Sequence, residues 1–294
     1  MTRTVEVTAP AKVNLFLGVG RVREDGYHDV VTVMHALELA DRVTVARSET
    51  LTVATSPDLG LAEKDNVAWR AATRFAEATG ASAAVEIRIE KRIPHSAGLG
   101  GGSSDAAAVI AALCVLHDIG RGEDAVRAAA ASVGADVPFF LAGPAALMSG
   151  RGDLLVRSLP PVRVPIAVIK PAGAVSTAEA YREFDRAPVP AGDPAALVAG
   201  LEQGELDTAR ISNNLEAAAV ALVPESGDAL ALASSSVGVR AASVSGSGSS
   251  VFAVCTNLDA ALALAEQARE RGWWSAATWT TREGMTVTED RDGR

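Results

Sequence analysis

A cluster of glycines between a strand-like run and an alanine-rich run constrains this chain more than any other feature. The segment PHSAGLGGGSSDAAA covers residues 94–108 and holds four glycines, at positions 98, 100, 101 and 102. VEIRIEK before it alternates as a strand does, and the alanine-rich run after it predicts a helix from about Ser104 to His117. Glycine loses more conformational entropy on folding than any other residue, so the cluster indicates that something approaches this backbone closely.

The loop is predicted to hold a phosphate chain. The first amides of a helix lack partners and carry partial positive charge, and glycines ahead of them let a polyphosphate come near. A flexible linker is the alternative, but the apolar Leu99 inside the loop favours packing. A Walker A loop is excluded because no Gly-Lys pair occurs, and a dinucleotide fingerprint lacks its third glycine.

Composition limits the partners and the compartment. The net charge is −9 and the pI is about 5.0, so neither a nucleic acid nor a membrane partner is expected. The two cysteines, Cys114 and Cys255, lie in apolar runs without metal-ligand spacing, which favours reduced thiols. The sequence shows no signal-peptide core and no apolar run near the ~20 residues that span a bilayer. A cytoplasmic location is therefore expected.

The chain is expected to form two domains. Its first half is rich in strand-like runs, and a shift in composition with a proline pair falls near 150–165. We therefore predict an N-terminal domain over 1–158 and a C-terminal domain over 159–294. Helical periodicity falls within 66–80, 104–117, 123–133, 177–185, 194–203 and 257–272. The charged end TEDRDGR, 288–294, is expected to fray.

Five motifs in this order carry a resemblance to a known family: APAKVNL, GYHDV, PHSAGLGGGSSDAAA, GADVPFF and SVSGSGSSVFA. From about residue 8 to 255 the chain resembles the GHMP kinases, which phosphorylate small molecules. The resemblance implies an α+β, two-domain GHMP kinase fold, with an N-terminal domain like the ribosomal S5 domain 2 and a ferredoxin-like C-terminal domain. His95-Ser96 departs from the family pattern, in which small or apolar residues are more usual.

AKVNLFL, DGYH and GADVPFF are most similar to one branch of the family. That branch transfers the γ-phosphoryl group of ATP, with Mg²⁺, to the 2-hydroxyl of a cytidine diphosphate-linked methylerythritol in isoprenoid precursor synthesis. The resemblance assigns the catalytic roles to Lys12, which holds the reacting hydroxyl, and Asp136, which accepts its proton. From the residues alone, Lys12 could be a snorkelling lysine, and Asp136 before Val-Pro could be a helix N-cap.

The resemblance places ATP on the glycine loop and two flanking side chains. Asn66 could equally be a helix cap, and Lys91 a solvated charge at a strand end. No protein ligand for Mg²⁺ is assigned, and Ser104 is a candidate for that role. The expected ATP-binding residues are Pro94, His95, Ser96, Ala97, Gly98, Leu99, Gly100, Gly101, Gly102, Ser103, Ser104, Asn66 and Lys91.

The cytidyl substrate is assigned to a second group of residues. Both tyrosines of the chain belong to it, and a flat base needs an aromatic face. His28 is expected to bond the cytosine edge. Read without the resemblance, Tyr27 and His28 are turn residues, Tyr181 is a core residue and GSGSS is a hairpin turn. The expected substrate-binding residues are Asn14, Tyr27, His28, Thr177, Tyr181, Gly246 and Ser247.

Two other functions remain open from the sequence. A family kinase for another alcohol, such as mevalonate or homoserine, would not need two tyrosines and a histidine for a pyrimidine. A non-catalytic sensor would be expected to lose Lys12, Asp136 or a loop glycine, and all are present. The small-molecule substrate is the expected partner, and the protein is expected to be a monomer or a weak homodimer.

Overall fold

The computed structural model describes residues 3–290 and places a mixed sheet ahead of a smaller antiparallel sheet. The strands are β1 (Thr4–Val22), β2 (His28–Arg47), β3 (Thr52–Ser56), β4 (Val85–Glu90), β5 (Ala145–Ser149), β6 (Leu154–Ser158), β7 (Pro165–Lys170), β8 (Ser212–Asn213), β9 (Val239–Val244), β10 (Val251–Cys255), β11 (Trp274–Trp279) and β12 (Thr286–Asp290). The helices are α1 (Val67–Thr79), α2 (Gly101–His117), α3 (Asp124–Val133), α4 (Val137–Ala142), α5 (Thr177–Phe184), α6 (Ala195–Glu202), α7 (Glu216–Leu222), α8 (Pro224–Ser235) and α9 (Leu258–Glu270).

The larger sheet is built on the long antiparallel pair β1 and β2. Its order is β12-β1-β2-β4-β3, with β5 and β6 continuing from β2 and β8 beside β1. Strand β1 is continuous across the motif APAKVNL, with register shifts relative to β2 after Pro10 and Asn14. Bulges of this kind bend a strand and re-aim its side chains. They lie beside the two polar residues of APAKVNL that the site uses.

Helix α2 lies at the centre of the first domain. Its residues from Ser104 to Cys114 are all buried, and α1 and β1 pack against it. It begins at Gly101, three residues before the predicted start at Ser104. Glycine is a poor helix former, but packing of a buried, largely apolar helix outweighs a cost of about 1 kcal/mol per glycine.

The smaller sheet has the order β11-β7-β10-β9 and uses both of its faces. Along β7, Ala167 and Ile169 pack in a core with α8 and α9. The alternate residues Ile166 and Val168 share a core with Leu15 and other side chains of the larger sheet. Because side chains alternate between the two faces of a strand, β7 contributes to both cores, and the core it shares with the larger sheet joins the two domains through one continuous apolar layer.

The C-terminal end returns to the first sheet. Strand β12 pairs antiparallel with β1, with Val287 opposite Val7. The predicted C-terminal domain, 159–294, thus contains a strand of the larger sheet, while the boundary at 158/159 stays a prediction. The end expected to fray is strand through Asp290, and 291–294 lie outside the described residues. Within the described part of the chain, no helix is long and apolar enough to cross a membrane.

Candidate functional site

A cleft of about 750 Å³ opens where the glycine loop meets the second domain. Tyr27, His28 and Ser104 do not line this cleft, although the sequence assigns them to the site. The predicted residues that do line it are Lys12, Asn14, Asn66, Lys91, residues 94–103, Asp136, Thr177, Tyr181, Gly246 and Ser247.

Lys12 and Asp136 face each other across the cleft. Lys12 Nζ lies 3.5 Å from Asp136 Oδ2, with the lysine side chain 4% exposed and the aspartate side chain 32% exposed. The two residues to which the resemblance assigns the catalytic roles therefore lie side by side. Asp136 occupies the N-cap position of α4, but its side chain makes no capping hydrogen bond, so capping does not account for it.

A short polar relay holds the ammonium of Lys12 in place. Lys12 Nζ donates to Asn14 Oδ1 at 2.7 Å, and Asn14 Nδ2 donates to Thr32 Oγ1 at 2.8 Å. The Thr32 hydroxyl then donates to the carbonyl of Phe16 at 2.7 Å. The relay fixes the amide orientation of Asn14, so its oxygen is aimed at Lys12. Thr32 was not predicted from the sequence.

The glycines of the loop are required by the protein's own packing. A Cβ on Gly98 would lie 2.2 Å from the carbonyl oxygen of Ser245, and one on Gly100 would lie 2.9 Å from Lys12 Cγ. Both residues also have positive φ, +73° and +71°, which L side chains rarely adopt. Within the protein, the groups that crowd this backbone are Ser245, Gly248 and Lys12, and the contact with a polyphosphate stays a prediction. A Cβ on Gly102 would make only an ordinary van der Waals contact, with Val67 Cγ2 at 3.6 Å.

The start of α2 supplies the features of an anion site. Ser104 N donates to the carbonyl of Gly100. The amides before it belong to the first turn of the helix, where an N–H group has no partner within the helix. Ser103 borders the cleft. The Ser104 hydroxyl is fully buried and forms no hydrogen bond in the described part of the chain.

Lys91 is held between two buried carboxylates. Its Nζ donates to Asp105 Oδ2 at 2.6 Å and to Asp41 Oδ2. Burial lowers the pKa of Lys91, but Asp105 and Asp41 outweigh burial and the pKa is raised overall. Burial, opposed by Lys91, raises the pKa of Asp105 to about 7. The sequence gave no role to either aspartate.

The predicted cytidine side is built around His28. Its Nε2 donates to Asp185 Oδ1 at 2.7 Å, and its ring centroid lies 5.0 Å from that of Tyr181. Burial, with the nearby Asp136 charge, raises the pKa of Tyr181 to about 12. Asp185 follows α5 without any motif, so no sequence signal marks it.

Tyr27 lies on the surface beside an arginine. Its side chain is 56% exposed, and Arg151 Cζ sits 4.9 Å from its ring centroid. Arg151 lines the cleft and is oriented by Asp153, whose Oδ2 accepts from Nε and Nη2 at 3.1 and 2.8 Å. An arginine at a cleft edge suits an anionic ligand, and its isolated place in SGRGD was too weak a signal to single it out.

The remaining predicted side chains are tied to their own loops. Thr177 Oγ1 and Ser247 Oγ lie 3.1 Å apart, which joins the start of α5 to the GSGSS loop. Gly246 has a φ of +60°, and a Cβ there would lie 3.3 Å from Lys12 Nζ. Asn66 caps α1 by accepting from Ala68 N at 2.9 Å, as its alternative interpretation expects.

Family models match both domains of the chain. The model described as GHMP kinases N terminal domain matches residues 66–144, and that described as GHMP kinases C terminal matches residues 190–272. The chain belongs to the GHMP kinase family, a class of ATP-dependent kinases of small molecules, as its motifs predict.

Relatives in that family carry a particular name. A 4-diphosphocytidyl-2-C-methyl-D-erythritol kinase of Nocardia farcinica is 42% identical over 276 residues, which is 90% of this chain and 89% of the relative. One of Mycobacterium tuberculosis is 38% identical and matches over 90% of this chain and 86% of its own.

Solved structures agree on the fold. A crystal structure of 4-(cytidine 5'-diphospho)-2C-methyl-D-erythritol kinase matches with a TM-score of 0.77 at 38% identity, covering 93% of this chain and 98% of that one. A homoserine kinase from Cytophaga hutchinsonii matches with a TM-score of 0.74 at 22% identity, covering 97% of both chains. That second match shows the shared fold alone. The predicted two-domain α+β kinase fold is confirmed.

Proposed function

We propose that this protein transfers the γ-phosphoryl group of ATP to the 2-hydroxyl of 4-diphosphocytidyl-2-C-methyl-D-erythritol, giving the 2-phosphate and ADP. One observation carries the proposal most directly: a buried ammonium, Lys12, faces the carboxylate of Asp136 beside the start of α2. This arrangement supports the proposal, because transfer from a triphosphate to an alcohol needs a base for the hydroxyl proton and a cation for the developing charge. The named relatives support the choice of alcohol.

In the proposed reaction, the hydroxyl oxygen of the substrate bonds to the γ-phosphorus of ATP, and Asp136 accepts the proton of that hydroxyl. The bond from that phosphorus to the bridging oxygen breaks, and ADP leaves with the electron pair. Lys12 stabilises the negative charge that develops on the attacking oxygen, and the Asn14 relay keeps its ammonium aimed at the cleft. Positioning and electrostatics supply most of the acceleration, because phosphoryl transfer asks for little covalent chemistry from the protein.

The nucleotide is proposed to lie on residues 94–104, with its phosphates over Gly102 and Ser103 at the helix start. Asn66 and Lys91 also line the cleft, and they are proposed to contact the nucleotide. The two side chains already bond to Ala68 N and to Asp41 and Asp105.

Mg²⁺ is proposed to enter with the nucleotide. Among residues 3–290, no group of three or more His, Cys, Asp or Glu forms a metal site. That fits Mg²⁺, which is usually held by phosphates with one or two protein carboxylates. Asp136 borders the same cleft as the helix start, whereas the buried hydroxyl of Ser104 does not line it. Bound Mg²⁺ would neutralise charge on the phosphates.

The cytidine end is proposed to lie near Tyr181, with Tyr27 and His28 on the same side of the domain junction. His28 is oriented by Asp185, which leaves its other ring nitrogen for the base edge. Asn14, Thr177, Gly246 and Ser247 are proposed to line the path of the methylerythritol moiety.

The test is an ADP-release assay with purified protein and four conditions. The acceptors are the cytidyl methylerythritol substrate, mevalonate, homoserine and no acceptor. We expect ADP release that depends on the cytidyl substrate, with mass spectrometry showing one added phosphate. Comparable release with mevalonate or homoserine would redirect the proposal to another alcohol kinase, and release with none of them would reject it.

The proposed cellular location, partners and oligomeric state are those expected from the sequence. Cys114 and Cys255 are buried and unpaired, which supports the expected reduced, cytoplasmic compartment. The small-molecule substrate is the proposed partner, without nucleic acid or membrane. A monomer or weak homodimer stays a prediction.

A further inference from the structure

The Asp41–Lys91–Asp105 cluster connects the two ends of the glycine loop. Lys91 follows β4 and precedes the loop, and Asp105 lies in the second turn of α2, after the loop. The ammonium of Lys91 donates to a carboxylate oxygen of each aspartate. The ion pairs therefore close the base of the segment 92–104.

Asp41 makes more contacts than its two partners. Its Oδ1 accepts from Arg92 N at 2.5 Å and from Ile93 N at 2.8 Å, the first two amides after Lys91. Its Oδ2 accepts from Lys91 Nζ. Ile93 in turn packs on the helix start, where a Cβ on Gly101 would lie 3.0 Å from Ile93 Cγ2. One carboxylate from β2 thus holds the whole exit from β4.

Stability alone does not explain this cluster. The side chains of Asp41, Lys91 and Asp105 are 0%, 9% and 7% exposed. Desolvating three charges is costly, and well-packed apolar residues are often as stable as a buried ion pair. In addition, Asp105 Oδ1 has no hydrogen-bond partner in the described part of the chain. The arrangement needs a reason beyond the free energy of unfolding.

We propose that Asp41 is a positioning residue for nucleotide binding, which acts through Lys91 and the amides of Arg92 and Ile93 to hold the glycine loop in its binding conformation. The inference rests on the proposed function, because it takes ATP as the ligand of the loop. A loop with both ends fixed loses less conformational entropy when it binds. Asp105 serves the same purpose with a single contact, so its effect is smaller.

Two isosteric variants and one control test the proposal. Asp41→Asn can keep the acceptor for Arg92 N and Ile93 N, but it presents an amide N–H to the ammonium of Lys91. Asp105→Asn can keep an oxygen toward Lys91 and removes only the charge. Asp193→Asn is the matched control, because Asp193 accepts a backbone N–H, from Ala195, on an exposed turn outside the cleft.

The first readout is ATP affinity, measured by calorimetry with a non-hydrolysable ATP analogue and no acceptor. We expect Asp41→Asn to weaken it at least about tenfold, Asp105→Asn about threefold, and Asp193→Asn not at all. In steady state, the KM for ATP should rise while the KM for the alcohol and kcat at saturating ATP stay within about twofold.

The second readout is hydrogen exchange of the nucleotide-free protein. Amides of 92–104 should exchange faster in Asp41→Asn, while those of β10 keep the wild-type rate. Faster exchange in both segments, or unchanged loop exchange with unchanged ATP affinity, overturns the proposal. If Asp41→Asn does not fold, Asp105→Asn decides by the same two measurements. A wild-type protein that binds the ATP analogue but phosphorylates no tested acceptor would reject the proposed substrate and leave this inference standing.

Discussion

At the scale of single residues, buried charge is the feature that most distinguishes this chain. It has four lysines, at 12, 64, 91 and 170, and three of them are buried or nearly so. Lys12 faces Asn14 and Asp136, Lys91 faces two carboxylates, and Lys170 donates to the carbonyls of Pro171 and Gly173. Each ammonium has partners that offset part of its desolvation cost.

Asp136→Asn tests the proposed base. The amide is the same size but cannot accept the hydroxyl proton, so kcat should fall at least ~100-fold while ATP affinity stays near normal. Steady-state kinetics and calorimetry measure the two quantities. A variant with normal turnover would remove Asp136 from this role.

Tyr181→Ala tests the base-stacking role. Stacking on a base is worth about 1–3 kcal/mol, so the KM for the cytidyl substrate should rise about 5- to 150-fold with the KM for ATP unchanged. Tyr181→Phe keeps the ring and should lose much less. Equal loss in both variants, or none in Tyr181→Ala, would mean that the ring does not contact the base.

At the scale of elements, the glycine loop packs closely against the rest of the protein, and it is also proposed to leave backbone open to a phosphate. The sequence showed where the loop lies, that a helix follows it and that Leu99 packs; Leu99 is indeed 1% exposed. It could not show that Gly98 and Gly100 are crowded by Ser245 and Lys12, because those contacts join segments far apart in the chain. Close approach to this backbone was predicted, the crowding of Gly98 and Gly100 by the protein itself was not, and the phosphate contact stays a prediction.

Gly98→Ala tests the close packing of the loop, and Gly102→Ala tests the proposed phosphate contact. Gly98→Ala puts a Cβ 2.2 Å from a carbonyl oxygen at a φ of +73°, so we expect a large loss of stability, with a midpoint of unfolding several degrees lower. Gly102→Ala lies in a helix with room for a methyl group, so stability should hold or rise by up to about 1 kcal/mol.

For Gly102→Ala we expect the loss in ATP binding instead, because the methyl group covers backbone proposed to meet phosphate. Thermal unfolding and calorimetry on both variants provide the comparison. A stable Gly98→Ala protein would contradict the packing account, and normal ATP affinity in Gly102→Ala would contradict the phosphate account.

At the scale of the whole molecule, the two domains are joined by a shared apolar layer and by a buried histidine. His35 on β2 accepts from Val162 N at 3.1 Å through Nε2, and its Nδ1 donates to the carbonyl of Ala36 at 2.9 Å. Burial lowers the pKa of His35 to about 4. The neutral ring therefore belongs to the folded state.

This histidine predicts acid sensitivity. In the unfolded chain, His35 titrates near its ordinary value of 6.5, so that state binds a proton first as the pH falls. The contribution is full above about pH 6.5 and is lost between that value and about pH 4, by up to about 3 kcal/mol.

Urea unfolding at several pH values measures this loss. His35→Gln can still accept from Val162 N but does not titrate, so its free energy of unfolding should fall less steeply over the same interval. Equal slopes for the two proteins would show that other groups control the acid limit.

The sequence by itself determined the family, through the order of its motifs. It also determined helices such as α1, with its caps at Asn66 and Gly80, because periodicity, capping and glycine loops depend on near neighbours. The pairing of Asp41 with Lys91, the return of β12 to β1, and the orientation of His28 by Asp185 depend on contacts between distant segments. Only the folded chain decided that Lys91 meets Asp41 and Asp105, because that choice is made by packing β2, the end of β4 and α2 together.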